Sequence, residues 1–291
     1  MDEQSVLARR FEDHSAHLRG VAYRMLGSRS EADDAVQEAW LRLSRVDTAG
    51  VNNLAGWLTT VVARVCLDML RARKSRREEC LHANAPQRAA TEAASDPEQE
   101  MLLAQSVELA LLVVLETLTP AERIVFVLHD MFDMPFEAIA PVVGRSPIAA
   151  RQLASRARRR VRGAAAVPEA ELARQRRVVD AFLAASRSGD FNALVALLDP
   201  DIVLSADRSP AGVPIQIRGA SAVAKQALAY SHNARFARPA LVNGVVGVIV
   251  AAHGRLSVVL GFKIRDASIA ELHVMTDPAH LRQLDLAVLS E

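Results

Sequence analysis

The sequence predicts a multidomain protein: two all-α units followed by an α+β domain. Three observations carry this expectation. Apolar residues recur at helical spacing over residues 4–77 and again over 102–163. A stretch rich in Ala, Glu, Gln, Ser and Pro, without apolar period, lies between them. Beyond about residue 177 the pattern shortens to Val-, Ile- and Leu-rich runs broken by Gly and Asn, which reads as strands. The expected divisions are 1–77, a linker at 78–101, a second helical unit at 102–163, a connector at 164–176 and the α+β domain at 177–291.

In the first unit, Phe11, Leu18, Val21, Ala22, Met25 and Leu26 form one apolar stripe, which Gly27 ends. Ser30 is expected to cap the next helix, EADDAVQEAWLRL, with Asp33 in the third position after it. Val36, Ala39, Trp40 and Leu43 face a core there, leaving Asp34, Gln37, Glu38 and Leu41 outside. Acids in a first turn complement the helix dipole, worth roughly 0.3–1 kcal/mol each, so composition alone explains them structurally. A third helix opens at Trp57 and buries Leu58, Val61, Val62, Val65 and Met69. Arg64 and Asp68 are spaced to pair. The helix exits through Arg71, Arg73, Lys74, Arg76 and Arg77, more cations than a helix C-terminus uses. Cys66 falls on the apolar face, and neither it nor Cys80 has metal-ligand spacing.

Asp96-Pro97 starts a helix that runs through LALLVVLETL into the second unit. Thr119-Pro120 caps the helix PAERIVFVLHDMF. The stretch FEAIAPVVGRSPIAARQLASRARRRVR then reads as two helices joined at Gly144. Ser146 caps the second of these, and Pro147 takes its first position. Ala150, Leu153, Ala154, Ala157 and Val161 form a small-residue core face. Arg151, Ser155, Arg158 and Arg162 recur on the opposite face, which Arg156, Arg159 and Arg160 widen. Like charges one turn apart repel, so an arginine stripe without acids points to an external polyanion, and a major groove accepts such a helix. Pro141 inside the preceding helix predicts a kink or a late start, since an interior proline costs about 3 kcal/mol.

The charge is local. Residues 178–291 hold ten basic and ten acidic residues, while bases concentrate in 71–77 and 151–162. The C-terminal runs predict helices, then a curved antiparallel sheet, with turns at Asn243-Gly244 and His253-Gly254. No apolar run is long enough to cross a membrane and no basic-plus-apolar leader is present, so a cytoplasmic protein is expected. Asp207, His232, His273 and Asp277 are acid–base candidates, but none sits in a catalytic motif. His14 and His17 lack a third ligand. No catalytic residue, metal or cofactor is expected.

The first half resembles an extracytoplasmic-function (ECF) sigma factor of the sigma-70 family. The resemblance is carried by YRMLGSRSEADDAVQEAWLRL, GWLTTVVARVCLDMLRAR and LTPAERIVFVLHDMFDMPFEAIAPVVGRSPIAARQLASRARRRV, in that order. It implies that residues 1–77 are sigma region 2 and 102–163 are region 4. By carry-over, Asp33, Asp34, Gln37, Glu38 and Leu41 contact the clamp of the largest RNA polymerase subunit. Trp57, Arg64, Arg71, Arg73, Lys74, Arg76 and Arg77 face the minus-ten element. Ser146, Arg151, Gln152, Ser155, Arg156, Arg158, Arg159 and Arg162 face the minus-thirty-five element. The α+β part resembles a SnoaL-like extension of the NTF2-like cone fold, with VNGVVG as its Asn-Gly turn. The group's Trp-Leu-Pro-Glu-Pro linker segment is absent, and ADRSPAGVP replaces its glycine-rich loop. The extension implies regulation through contact with region 2 or the linker. Two other classes are a helix-turn-helix regulator with a ligand-sensing cone, and a cone-fold isomerase or cyclase. The regulator does not require the acidic helix or the Trp57–Arg77 segment, and the enzyme requires a buried, polar, pKa-perturbed site in the C-terminal pocket.

Overall fold

The computed structural model describes residues 3–45, 53–82, 108–163, 165–207, 214–252 and 255–289. The expected helix start at Asp96-Pro97, the His253-Gly254 turn and the centre of the ADRSPAGVP loop lie outside them. Among the described residues, 3–82 and 118–158 form one compact unit, and 108–117 with 159–289 form a second.

In the first unit, α1 (Glu3–Leu26) ends where Gly27 turns left-handed at φ 76°. That turn leaves Ser28, not the expected Ser30, as the extended residue before α2 (Arg29–Leu43). Its Oγ accepts from the Glu31 amide at 3.4 Å, while Ser30 is already inside the helix. α3 (Leu54–His82) begins ahead of Trp57 because Asn53 accepts from the Gly56 amide at 2.9 Å, and it continues past residue 77. Leu18, Met25, Leu43, Leu58 and Leu67 are buried among these helices. The expected Arg64–Asp68 pair does not form. Asp68 faces Arg71 at 3.9 Å instead, with the acid N-terminal to the cation, the favoured order on a helix.

Thr119 and Glu122 form a complete capping box at α4 (Pro120–Phe126), which runs into a π turn at Val127–Met131. α5 (Phe136–Val143) starts at Phe136 despite Pro141 and ends at Gly144, φ 66°. With only 8 residues, it has few interior amides for the proline to remove. The Ser146 hydroxyl accepts from the Ala149 amide at 3.2 Å at the head of α6 (Pro147–Arg162), as expected. α4 and α5 pack on α3, and the π turn packs on α1. Arg123, 3% exposed, reaches the Arg24 carbonyl at 3.4 Å. The Arg24 guanidinium lies 5.5 Å over the Phe132 ring, which His17 meets edge-on. The helix-turn-helix and the N-terminal helices therefore share one core.

The second unit is a seven-stranded sheet in the order β2-β1-β6-β5-β4-β3-β7. The strands are β1 (Leu198–Ala206), β2 (Ile215–Arg218), β3 (Ala237–Val242), β4 (Val245–Ala252), β5 (Arg255–Arg265), β6 (Ser268–Met275) and β7 (Leu286–Ala287). The expected sheet is corrected at one place: β1 and β6 pair in parallel. Tight turns force antiparallel neighbours, but no turn links these two strands. Helices α7 (Glu169–Ser188), α8 (Phe191–Leu197) and α9 (Ala220–Ala229) contribute Phe182, Leu194 and Val223 to a core with Ile202, Leu204 and Leu272 of the sheet. Asn243 and Gly244 both take positive φ, 51° and 81°, closing the β3–β4 hairpin. The two-residue strand β7 was not foreseen. A further helix, Glu108–Thr117, packs on β3, β4 and β7. The Val288 amide donates to the Val161 carbonyl at 2.9 Å, and a Cβ on Gly163 would come within 2.4 Å of the Ala287 side chain.

Cys66 is fully buried on α3, where desolvation pushes its thiol up to about 12 and the nearby Arg123 only partly offsets this. The native protein should therefore resist a disulfide reagent at pH 8, and labelling at Cys66 should follow denaturant unfolding. Rapid Cys66 labelling of folded protein, mapped by peptide mass, would contradict this packing.

Candidate nucleic-acid interface and acidic helix face

α6 presents the two faces expected of it. Ala150, Leu153, Ala154, Ala157 and Val161 are buried, while Arg151, Gln152, Ser155, Arg156, Arg159, Arg160 and Arg162 are exposed and Arg158 is half-buried. Two arginines are tethered by acids from outside the helix. Arg158 donates to Asp130 at 2.5 Å, and Arg156 lies 3.4 Å from the buried Glu122. Arg151 stacks over the Phe136 ring at 5.2 Å. The helix residue the sequence pattern missed is Ile148, 68% exposed beside the Ser146 cap. Its signal was an apolar residue off the core stripe.

The acidic face of α2 is open at Asp34, Gln37 and Leu41, all exposed, with Leu41 at 42%. Asp33 accepts from Arg19 at 3.0 Å, and Glu38 pairs with Arg42 at 3.0 Å. On α3, Arg64, Arg71, Lys74 and Arg76 are exposed and Trp57 is half-buried. Arg73 is engaged internally: it pairs with Glu31 and donates to the Leu26 carbonyl at 3.3 Å. The side chain of Arg77 lies outside the described residues.

Of the acid–base candidates, Asp207 and Asp277 meet, and each of the four has a partner elsewhere in the fold. Asp277 caps the helix Pro278–Leu281 through the Ala279 and His280 amides. His273 bonds Ser205 at 2.7 Å and lies 3.4 Å from Glu271. His232 stacks near Tyr230. Asp207 accepts from the Thr276 amide and hydroxyl, both at 2.8 Å, and from the Asp277 amide at 3.0 Å. Partial burial raises its carboxyl, but these donors outweigh that and hold it below the ordinary value. Among the described residues no three His, Cys, Asp or Glu side chains are placed to hold a metal, and no helix is long and apolar enough to cross a membrane.

A helix-turn-helix with an exposed arginine face defines the class, a DNA-binding transcription protein. Residues 10–76 match sigma-70 region 2 and residues 108–161 match sigma-70 region 4. The chain is 34% identical over 286 residues, 98% of each protein, to the probable ECF RNA polymerase sigma factor SigI of Mycobacterium tuberculosis. It is 40% identical to the ECF sigma factor SigJ of that organism, over 74% of this chain and 70% of SigJ. The crystal structure of SigJ covers 94% of this chain at 30% identity, with a TM-score of 0.43. The chain belongs to the ECF sigma factors. It is an alternative sigma factor that directs RNA polymerase to specific promoters.

Replacing Asp207 with Ala removes acceptors for several donors and should destabilise the protein by about 1–3 kcal/mol. Because the folded carboxyl is held low, its contribution is complete above the unfolded carboxylate pKa and is lost as pH falls through the lower folded value. Urea unfolding at pH 7 and at pH 3 checks this: the gap between wild type and Asp207→Ala should shrink at the lower pH.

Proposed function

We propose that α2 docks on the clamp of the largest polymerase subunit through Asp34, Gln37 and Leu41, with Asp33 and Glu38 at the margin. The observation that supports this is the open carboxylate-and-leucine face just described. Arg64, Arg71, Lys74 and Arg76 line the approach to the minus-ten element, with Trp57 offering a stacking surface for an unpaired base. Arg73 orders α3 against α2 rather than reaching DNA.

Region 4 reads the minus-thirty-five element through α6. Arg151, Gln152 and Ser155 lie toward its head, and Ile148 offers an apolar contact for a thymine methyl. Arg159 and Arg162 contact phosphate. Arg156 and Arg158 are positioned by Glu122 and Asp130. The protein acts in the cytoplasm and is no enzyme.

The C-terminal domain regulates region 4. The sequence pointed to contact with region 2 or the linker. What supports the present reading is a different contact: the helix Glu108–Thr117 and the end of α6 rest on the β3–β7 edge.

Run-off transcription with purified core polymerase tests the whole reading. The chain alone should start transcripts at a promoter that core enzyme ignores; no specific start with any genomic promoter would overturn it. Asp34→Lys should weaken core binding about tenfold, 1.4 kcal/mol, and leave binding to a promoter fragment unchanged. Arg151→Ala should leave core binding intact and reduce the salt slope of fragment binding by about 0.9. Fluorescence anisotropy against core and against the fragment separates the two effects.

A further inference from the structure

Helices α7 and α9, the sheet and the 3₁₀ segment Ser231–Phe236 enclose a cavity of about 390 Å³ in the C-terminal domain. Its walls are aliphatic and aromatic, with Phe182, Leu204, Leu260 and Leu272 prominent. Ala206, Ala227, Ala234 and Ala237 keep it open where larger side chains would fill it. None of its described lining residues is Asp, Glu, His, Cys, Lys or Arg.

Its polar groups divide into two sets. Ser186 Oγ donates to the Phe182 carbonyl at 2.8 Å, and Thr276 Oγ1 donates to Asp207 at 2.8 Å, so both hydroxyl protons are used. The side chains of Gln226, Tyr230 and Asn233 have no hydrogen-bond partner among the described residues. Their spacing along α9 and the following segment gathers them at one end. The amides are half-buried and the tyrosine is exposed, so this end is the mouth.

A cavity this large accommodates a small organic molecule. Burying an uncompensated charge is costly, and no opposite charge lines the wall, so the cavity selects a neutral occupant. Water gains little in an apolar space of this kind. A primary amide both donates and accepts, which suits a hydroxyl or a carbonyl.

We propose that this cavity binds a neutral, mainly apolar small molecule carrying one hydroxyl or carbonyl group, recognised by Gln226 and Asn233. The site binds without turnover, because no acid or base faces the ligand. It stands independently of the polymerase and promoter assignments.

Three probes sharing one ring system test it on the full-length protein by calorimetry: 2-naphthol, naphthalene and 2-naphthoate. 2-Naphthol should bind at one saturable site, with 2-naphthoate weaker by about tenfold or more. Ala227→Phe should reduce 2-naphthol affinity by about tenfold without lowering the urea midpoint. Gln226→Leu, at a half-exposed position, should erase much of the preference for 2-naphthol over naphthalene, and it decides the matter should Ala227→Phe fail to fold. Absent saturation, naphthoate binding as tight as naphthol, undiminished binding by folded Ala227→Phe, or an unchanged naphthol-to-naphthalene ratio in Gln226→Leu would each overturn the proposal.

Discussion

Repulsion between like charges along α6 is the constraint on which the DNA-facing half depends. Six arginines in its last twelve residues cannot neutralise one another. The fold relieves part of that repulsion with acids borrowed from α4 and the π turn, Glu122 and Asp130. Glu122 is 4% exposed and also completes the capping box with Thr119, so its carboxylate is already held by several donors before Arg156 approaches. A buried acid so supported fixes the arginine it meets, whereas a free surface acid would fix little. Arg151, Arg159 and Arg162 stay exposed on the same helix. Charge that is unfavourable within the free protein becomes favourable at the duplex, where released counterions drive association.

Much of this was legible in the sequence because the deciding signals are local. Stripe residues such as Leu18, Leu58 and Ala154, the Gly144 turn and the Thr119 cap each depend on neighbours within one or two turns. The Ser28 cap was missed because Ser28 and Ser30 are equally good residues, and only the conformation of Gly27 decides between them. Partners remote in sequence left no local trace. Arg73 looked like one more cation for DNA, yet Glu31 holds it from another helix. Arg158 looked free for the same reason, though Asp130 reaches it. Strand β7 has two residues and no alternation to read, and the parallel β1–β6 pair depends on the path of the intervening chain.

The helix Glu108–Thr117 shows how far locality reaches. Its run ELALLVVLET is apolar on nearly every side, which marks a helix to be covered on more than one face. Sequence order joins it to region 4, and the region 4 match begins with it. Its packing on β3, β4 and β7 ties that same region to the C-terminal sheet. Gly163 completes the tie: with φ at 62° and the Ala287 side chain where its Cβ would stand, only glycine lets the chain leave α6 and meet β7.

The first unit joins its elements into one packed body. α5 packs directly on α3, and the Gly144 turn joins α5 to α6. α4 packs on α3 as well, and the π turn after it packs on α1. Two links to α1 are polar: the buried Arg123 reaches the Arg24 carbonyl, and the Arg24 guanidinium lies over the Phe132 ring. Water can replace both partners, whereas it cannot replace an apolar contact. A core closed by such polar links is easier to open than one closed by leucines alone, because the separated groups regain hydration.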